Sequence, residues 1–322
     1  MLNSSDHRFV HASVKLSLVF CFSILMPNFV LSAAAQSQRT RKPTGAGSSV
    51  VSPPTGKLQV VTGHPDSVVF INNVRHGATG ENGELNLSRV MTGSFPVRVR
   101  TTGFADWNGR VIIAPGAAGK TLQVTQHPTS DGPTLQFQKA EALRDKGKNK
   151  DAVEEYKQAL TLRSFPEARI GLARCLIALQ SFQEAEQQIQ AAIKAGGATL
   201  VEAQTVLANL RRHQGLGDES IVEYRKALRL ARGNSFEAHI GLAIALSEQG
   251  NVDESVKEYR IGIIQDMETE PILYYQLAEI LENAKRNKEA IDAYRKYLQL
   301  DPEGEYASAV ESIIERLKEE RE

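Results

Sequence analysis

Five side chains of this 322-residue chain have the type and spacing to recognise a ligand: Arg174, Asn209, Arg212, His213 and Tyr275. An arginine beside an asparagine can grip the backbone of an extended peptide, or a carboxylate, by charge-assisted hydrogen bonds. Tyr275, like Phe137, is of the kind that anchors an interface by filling a pocket. Catalytic constellations are missing. The seven histidines are scattered and none forms an H-E-x-x-H pair. There is no P-loop, no nucleophile elbow and no cysteine pair. Cys175 falls at a helical position of the small, buried kind, where a thiol is structural. The chemistry expected is binding, with no enzyme activity, catalytic residue, metal or cofactor.

The elements that must position these residues follow from composition and pattern. At 41% hydrophobic and 24% charged residues, the chain is ordinary globular protein. That excludes a wholly disordered, collagenous or polytopic membrane protein. The formal charge is zero overall but unevenly spread. Residues 36–126 hold ten Lys and Arg against four Asp and Glu; residues 127–322 hold 26 against 33. A basic front and an acidic back can steer partners. The front lacks the interleaved aromatics of nucleic-acid binders, so no nucleic acid is expected.

Residues 1–35 read as an export signal. Arg8 and Lys15 precede an apolar run from Leu16 to Leu31, and Ser32-Ala33-Ala34-Ala35 supplies the small residues for cleavage after Ala35. The run is interrupted by Pro27 and Asn28 and is short for a membrane span, so no integral span is expected after cleavage. The mature protein is thus expected to be exported: periplasmic, at the cell surface or secreted. Residues 36–56 are rich in Ser, Thr, Gly and Pro and read as a flexible tether.

From Lys57 to Gln126 the pattern becomes short β runs. Leu58–Thr62, Val68–Ile71, Leu85 and Leu87, Val97–Arg100, Arg110–Ile113 and Leu122–Thr125 are punctuated by Gly and Pro. Asn72-Asn73 suits a tight hairpin turn. Six or seven strands in about 70 residues predict a small sandwich. The stretch Gly93-Ser94-Phe95-Pro96-Val97-Arg98-Val99-Arg100-Thr101-Thr102-Gly103-Phe104 resembles the PEGA domain, a β module of bacterial surface and envelope proteins. His64-Pro65-Asp66-Ser67 stands where that family has Pro-Glu-Gly-Ala, and Asn73 replaces its turn glycine. Arg75, Arg98, Arg100, Arg110 and Lys120 are candidates for a basic face.

After a linker at 127–132 the period becomes helical, and the chain repeats itself. Ala140, Ala173, Ala208, Ala243 and Ala278 recur at steps of 33, 35, 35 and 35 residues. Ala152, Ala185, Ser220, Ser255 and Ala290 mark a small site where paired helices cross. Tyr156, Ile189, Tyr224, Tyr259 and Tyr294 follow four residues later and Ala159, Ala192, Ala227, Gly262 and Tyr297 seven residues later. Gly147, Gly215 and Gly250 break the chain between paired helices. This register over residues 133–302 resembles tetratricopeptide repeats. Beyond Pro302, residues 303–322 read as an amphipathic capping helix with Tyr306, Val310, Ile313, Ile314 and Leu317 on one face.

The expected fold is thus α+β multidomain: a small all-β sandwich, then an all-α solenoid of about five helix pairs plus the cap. The resemblance implies a concave wall lined by the first helix of each pair. By that register it includes Phe137, Glu141, Arg144, Ile170, Arg174, Ile177, Thr205, Asn209, Arg212, His213, Ile240, Ile244, Glu248, Tyr275, Glu279 and Glu282. Thr205 stands where the carboxylate clamp of some members has a basic residue. Two functions are open on the sequence. One is a scaffold holding a protein or peptide partner in the groove. The other is attachment to an envelope polymer, glycan or anionic, through the β module with the solenoid as spacer.

Overall fold

The computed structural model describes residues 54–115, 119–267 and 269–320. The expected signal segment and nearly all of the expected tether lie outside the described residues. Among the described residues seven strands come first: β1 (Thr55–Val61), β2 (Val68–Ile71), β3 (Val74–Ala78), β4 (Glu84–Met91), β5 (Gly93–Arg100), β6 (Trp107–Ile113) and β7 (Lys120–Gln123). They form two sheets, ordered β4-β1-β7 and β3-β2-β5-β6.

Alternation along each strand decides which face becomes core. Leu58 and Val60 of β1, Val69 and Ile71 of β2, Val97 and Val99 of β5, and Val111 and Ile113 of β6 are buried together between the sheets. Arg98 and Arg100, one residue out of phase, are turned to the opposite face of β5. Asn72 and Asn73 take φ of 53° and 64°, the two positive angles that a type I′ turn needs between β2 and β3.

The helices pair in sequence: α1 (Gly132–Asp145) with α2 (Asn149–Leu162), α3 (Pro166–Ala178) with α4 (Phe182–Ala195), and α5 (Leu200–His213) with α6 (Gly217–Leu230). Then come α7 (Phe236–Glu248) with α8 (Val252–Gln265), α9 (Pro271–Asn283) with α10 (Asn287–Leu300), and finally α11 (Ala307–Glu319). Local chemistry sets several starts. Asp131 caps α1 by accepting from the Thr134 amide at 3.1 Å, Ser235 caps α7, and proline opens α3 and α9. The turn inside each pair sits at one register position: Gly147, Gln180, Gly215, Gly250 and Lys285, all with positive φ. Glycine takes this left-handed backbone freely; Gln180 and Lys285 take it at a cost.

Packing follows the repeat. Ala152, Ala185, Ser220, Ser255 and Ala290 are fully buried where helices cross. The Ser255 hydroxyl keeps its partner there by donating to the Ala243 carbonyl at 2.7 Å. Tyr156, Ile189, Tyr224, Tyr259 and Tyr294 are also buried, and Tyr156, Tyr224 and Tyr259 meet the first helix of the next unit. Where the tyrosine ring crosses most closely, that helix carries glycine: a Cβ at Gly171 would lie 2.5 Å from Tyr156 Cε1, and one at Gly241 2.5 Å from Tyr224 Cζ. Tyr297, large where earlier units have Ala or Gly, faces Tyr306 and Tyr275 and fills the gap beneath the cap. Val310, Ile314 and Leu317 of α11 close that end. Among the described residues no helix is long and apolar enough to cross a membrane.

Candidate functional site

The inner wall is built by α1, α3, α5, α7 and α9, whose free faces carry ion pairs that run from one repeat to the next. Arg174 of α3 reaches Glu202 in the first turn of α5 at 3.1 Å and Glu237 in the first turn of α7 at 2.8 Å. Burial opposes its charge, but Glu237 and Glu202 outweigh that and raise its pKa. Arg212 of α5 pairs with Glu248 at 3.0 Å. Burial again opposes the charge, and Tyr224 and Glu248 hold it in place. Asn209, one turn earlier, accepts a hydrogen bond from the Tyr224 hydroxyl.

His213 lies beside Arg212 with its edge open to solvent, and partial desolvation and that neighbouring charge lower its pKa. Tyr275 lies elsewhere. Its ring stacks on Tyr306 with centroids 4.8 Å apart and meets Tyr294 edge-on at 5.8 Å. Burial, then Glu279, push its hydroxyl up to about 12. The structure therefore gathers Asn209, Arg212 and His213 in one patch, links Arg174 to two glutamates, and sets Tyr275 in the aromatic cluster under the cap. Ile170, Ile177 and Thr205 are buried and serve packing. The Thr205 hydroxyl is spent on the Val201 carbonyl at 2.9 Å. Among the described residues no group of His, Cys, Asp and Glu is arranged to hold a metal ion.

The β module is not a bystander to this wall. Arg100 bonds Glu141 of α1 at 3.1 Å and lies over the Phe137 ring, while its other nitrogens hold Asp106. Glu141 also takes Arg144 and the Tyr156 hydroxyl. Burial alone would raise the Glu141 pKa; Arg144 and Arg100 reverse that, so it is lowered. Gln138 of α1 accepts from the Gly103 amide at 2.9 Å and donates to the Phe104 carbonyl at 2.8 Å. At the other end, Asn72 meets Asn234 between α6 and α7, and His76 meets Thr269 at 3.2 Å. Met267, between α8 and α9, is buried in the apolar core of the β module.

The module thus spans the array from its first helix to the loop before its last repeat. Residue types alone nominate Arg174 but not Glu202 and Glu237, which sit one and two repeats away and read as ordinary acidic first-turn residues. Arg98 and Arg100, read as part of an outward basic face, are turned toward the helices instead.

The comparisons with known proteins fall in the helical part. Tetratricopeptide-repeat family models match residues 143–210 and 240–305. The likeness of residues 57–126 to the PEGA domain rests on its sequence motif alone. Among curated protein sequences no match to this chain is found.

Solved structures are similar over the helices. The Cut9–Hcn1 hetero-tetramer of APC/C aligns with a TM-score of 0.50 and 14% identity, over 57% of this chain and 36% of that one. The pilF product of Pseudomonas aeruginosa aligns with a TM-score of 0.49 and 13% identity, over 59% and 86%. YrrB, described as a TPR protein with an unusual peptide-binding site, gives 0.39 and 18%, over 55% and 91%. Identities this low speak to fold alone. Repeat register, helix pairing and family models agree: the helical part of this chain is an array of tetratricopeptide repeats.

Proposed function

We propose that the chain is a non-enzymatic protein–protein interaction scaffold acting outside the cytoplasm, at a bacterial envelope or beyond it. Its inner wall takes a peptide segment or a helix of a partner, and a PEGA-like β module packs beside that wall. The observation that carries this reading is the row His213, Glu248 and Glu279. These side chains are exposed on the inner helices; Glu248 pairs with Arg212 of the preceding repeat, and His213 and Glu279 lie on the helices either side of the one that carries the half-buried Ile240 and Ile244. An apolar strip edged by polar groups is what an extended or helical ligand needs. Replacing His213 by Glu together with Glu279 by Lys in the full chain is expected to reduce partner crosslinking in intact cells severalfold, with thermal stability kept. Unchanged crosslinking removes this surface from the account.

Polymer binding through the β module has less support. Arg98 and Arg100, two of the five cations nominated for it, are taken up in the seam with the helices. Only Arg75, Arg110 and Lys120 are exposed to solvent.

A further inference from the structure

We propose that the β module is a displaceable resident ligand of the early repeats, and that the surface it covers binds extended segments presenting alternating arginines. This rests on the groove reading above and specifies the chemistry of one part of the wall.

Strand β5 offers Arg98-Val99-Arg100, and the same chain continues to Phe104. Arg100 takes Glu141, and the backbone beyond it is held by Gln138 through the Phe104 carbonyl, while the Phe104 ring stays on His64 of the module. Among the described residues Arg98 has no carboxylate in direct contact. It stacks on Phe70 at 4.3 Å, its Nε has no hydrogen-bond partner, and the charges it feels across the seam are those of Glu202 and Glu141. The match is one of charge type, with a basic strand laid on acidic helices.

The seam also has the features of an interface that opens. Its contacts are mostly single side-chain pairs spread over helices and loops, as in transient domain interfaces. The Arg98 charge is partly desolvated without an ion-pair partner among the described residues, which costs free energy that release would return. The apolar plug is Met267, held at φ 62°, a left-handed backbone that disfavours a large side chain. What keeps the module in place is tethering. Ala105 donates to the His127 carbonyl and Thr129 to the Gly103 carbonyl, both at 2.9 Å, so the strand is offered to the wall from a few residues away. Such a short link gives an effective concentration on the order of millimolar, which an outside segment must outcompete.

Hydrogen exchange on the full chain reads docking directly, because the Gly103 amide has its acceptor on Gln138 across the seam. In the wild-type chain Gly103 is expected to exchange at least about tenfold faster than the ladder amides between β2 and β5, since the seam opens while the sandwich stays folded. In an R98E/R100E chain the Gly103 protection falls while the ladder keeps its own. A labelled peptide with the sequence of residues 97–104, Val-Arg-Val-Arg-Thr-Thr-Gly-Phe, then binds at least about tenfold more tightly than to wild type. Met267→Ser, which removes the plug without altering charge, gives the same pair of results and covers the case in which the double variant does not fold. Gly103 exchanging in step with the ladder in all three chains overturns the proposal, as does peptide binding that is equal or absent throughout. The exchange measurement needs no partner, so its failure is distinct from a failure of the groove reading.

Discussion

Arg100 of the β module and Glu141 of the first repeat are 3.1 Å apart, with only 11% and 15% of their side chains exposed. Asp106 lies on one side of this pair and Arg144 on the other, so one chain of alternating charges joins sheet to solenoid. Breaking a largely buried pair leaves a charge without its partner. Arg100→Ala is therefore expected to lower stability by about 2–4 kcal/mol. Urea unfolding measures the loss. Limited proteolysis should show faster cutting between residues 127 and 131 as the seam loosens.

Tyr224 and Gly241 test the packing between repeats. An added methyl at 241 meets the ring in a site with no free space, so Gly241→Ala is expected to cost about 1–3 kcal/mol despite alanine's better helix propensity. The second and third units show the remedy, since Ile189 stands at the tyrosine position and Val206 at the glycine position. Adding Tyr224→Ile to Gly241→Ala should recover part of the loss. A double variant less stable than the single one contradicts this complementarity.

The seam near Met267 predicts pH dependence of two opposite signs. Burial, and then the Glu270 charge, push Asp266 up from 3.8 to about 7. The fold favours its protonated form, so this stabilising contribution is complete below pH 3.8 and is lost as pH rises through 7. Asp266→Asn should therefore be more stable than wild type at pH 8, by an amount on the order of 2–4 kcal/mol, with the gap closing toward pH 4. Burial lowers His76 from 6.5 to about 4. Its neutral form is favoured, so its contribution is complete above pH 6.5 and is lost as pH falls through 4. His76→Gln should flatten the acid limb. Melting temperatures of the three chains between pH 4 and 8 separate the two groups.

Gln180 and Lys285 occupy the left-handed turn that three other units fill with glycine. Replacing either by glycine relieves the Cβ crowding and should raise stability by about 0.5–1 kcal/mol, read by denaturant midpoint. A loss of stability at both positions means the native side chains make contacts that outweigh the backbone cost.

The repeats were legible because they are periodic. A small residue every 33 to 35 positions, and a tyrosine or isoleucine four after the crossing site, leave few alternatives to stacked helix pairs. The internal turns were legible only in part: Gly147, Gly215 and Gly250 announce themselves, while Gln180 and Lys285 adopt the same backbone under side chains that give no sign of it. Strand β3 was obscured by Arg75-His76-Gly77, which lacks the alternation of its neighbours. The seam could not be read locally. His76 and Thr269 meet across 193 positions, and no period connects them. Its trace in the sequence was the contrast between a basic front and an acidic back, a global quantity that names no pair. The partners of Arg174 were hidden for the same reason, since Glu202 and Glu237 reach it only once the repeats are stacked.

The inner wall is where a partner is expected to bind, and site-specific photo-crosslinking in intact cells tests this. A benzophenone side chain placed at Ile244 or at Glu279 faces the wall; one at Val222, which is 58% exposed on a second helix, faces away from it. Crosslinking from Ile244 and Glu279 to a discrete partner, absent from Val222, is the result expected. Equal capture from all three positions, or capture from Val222 alone, contradicts it.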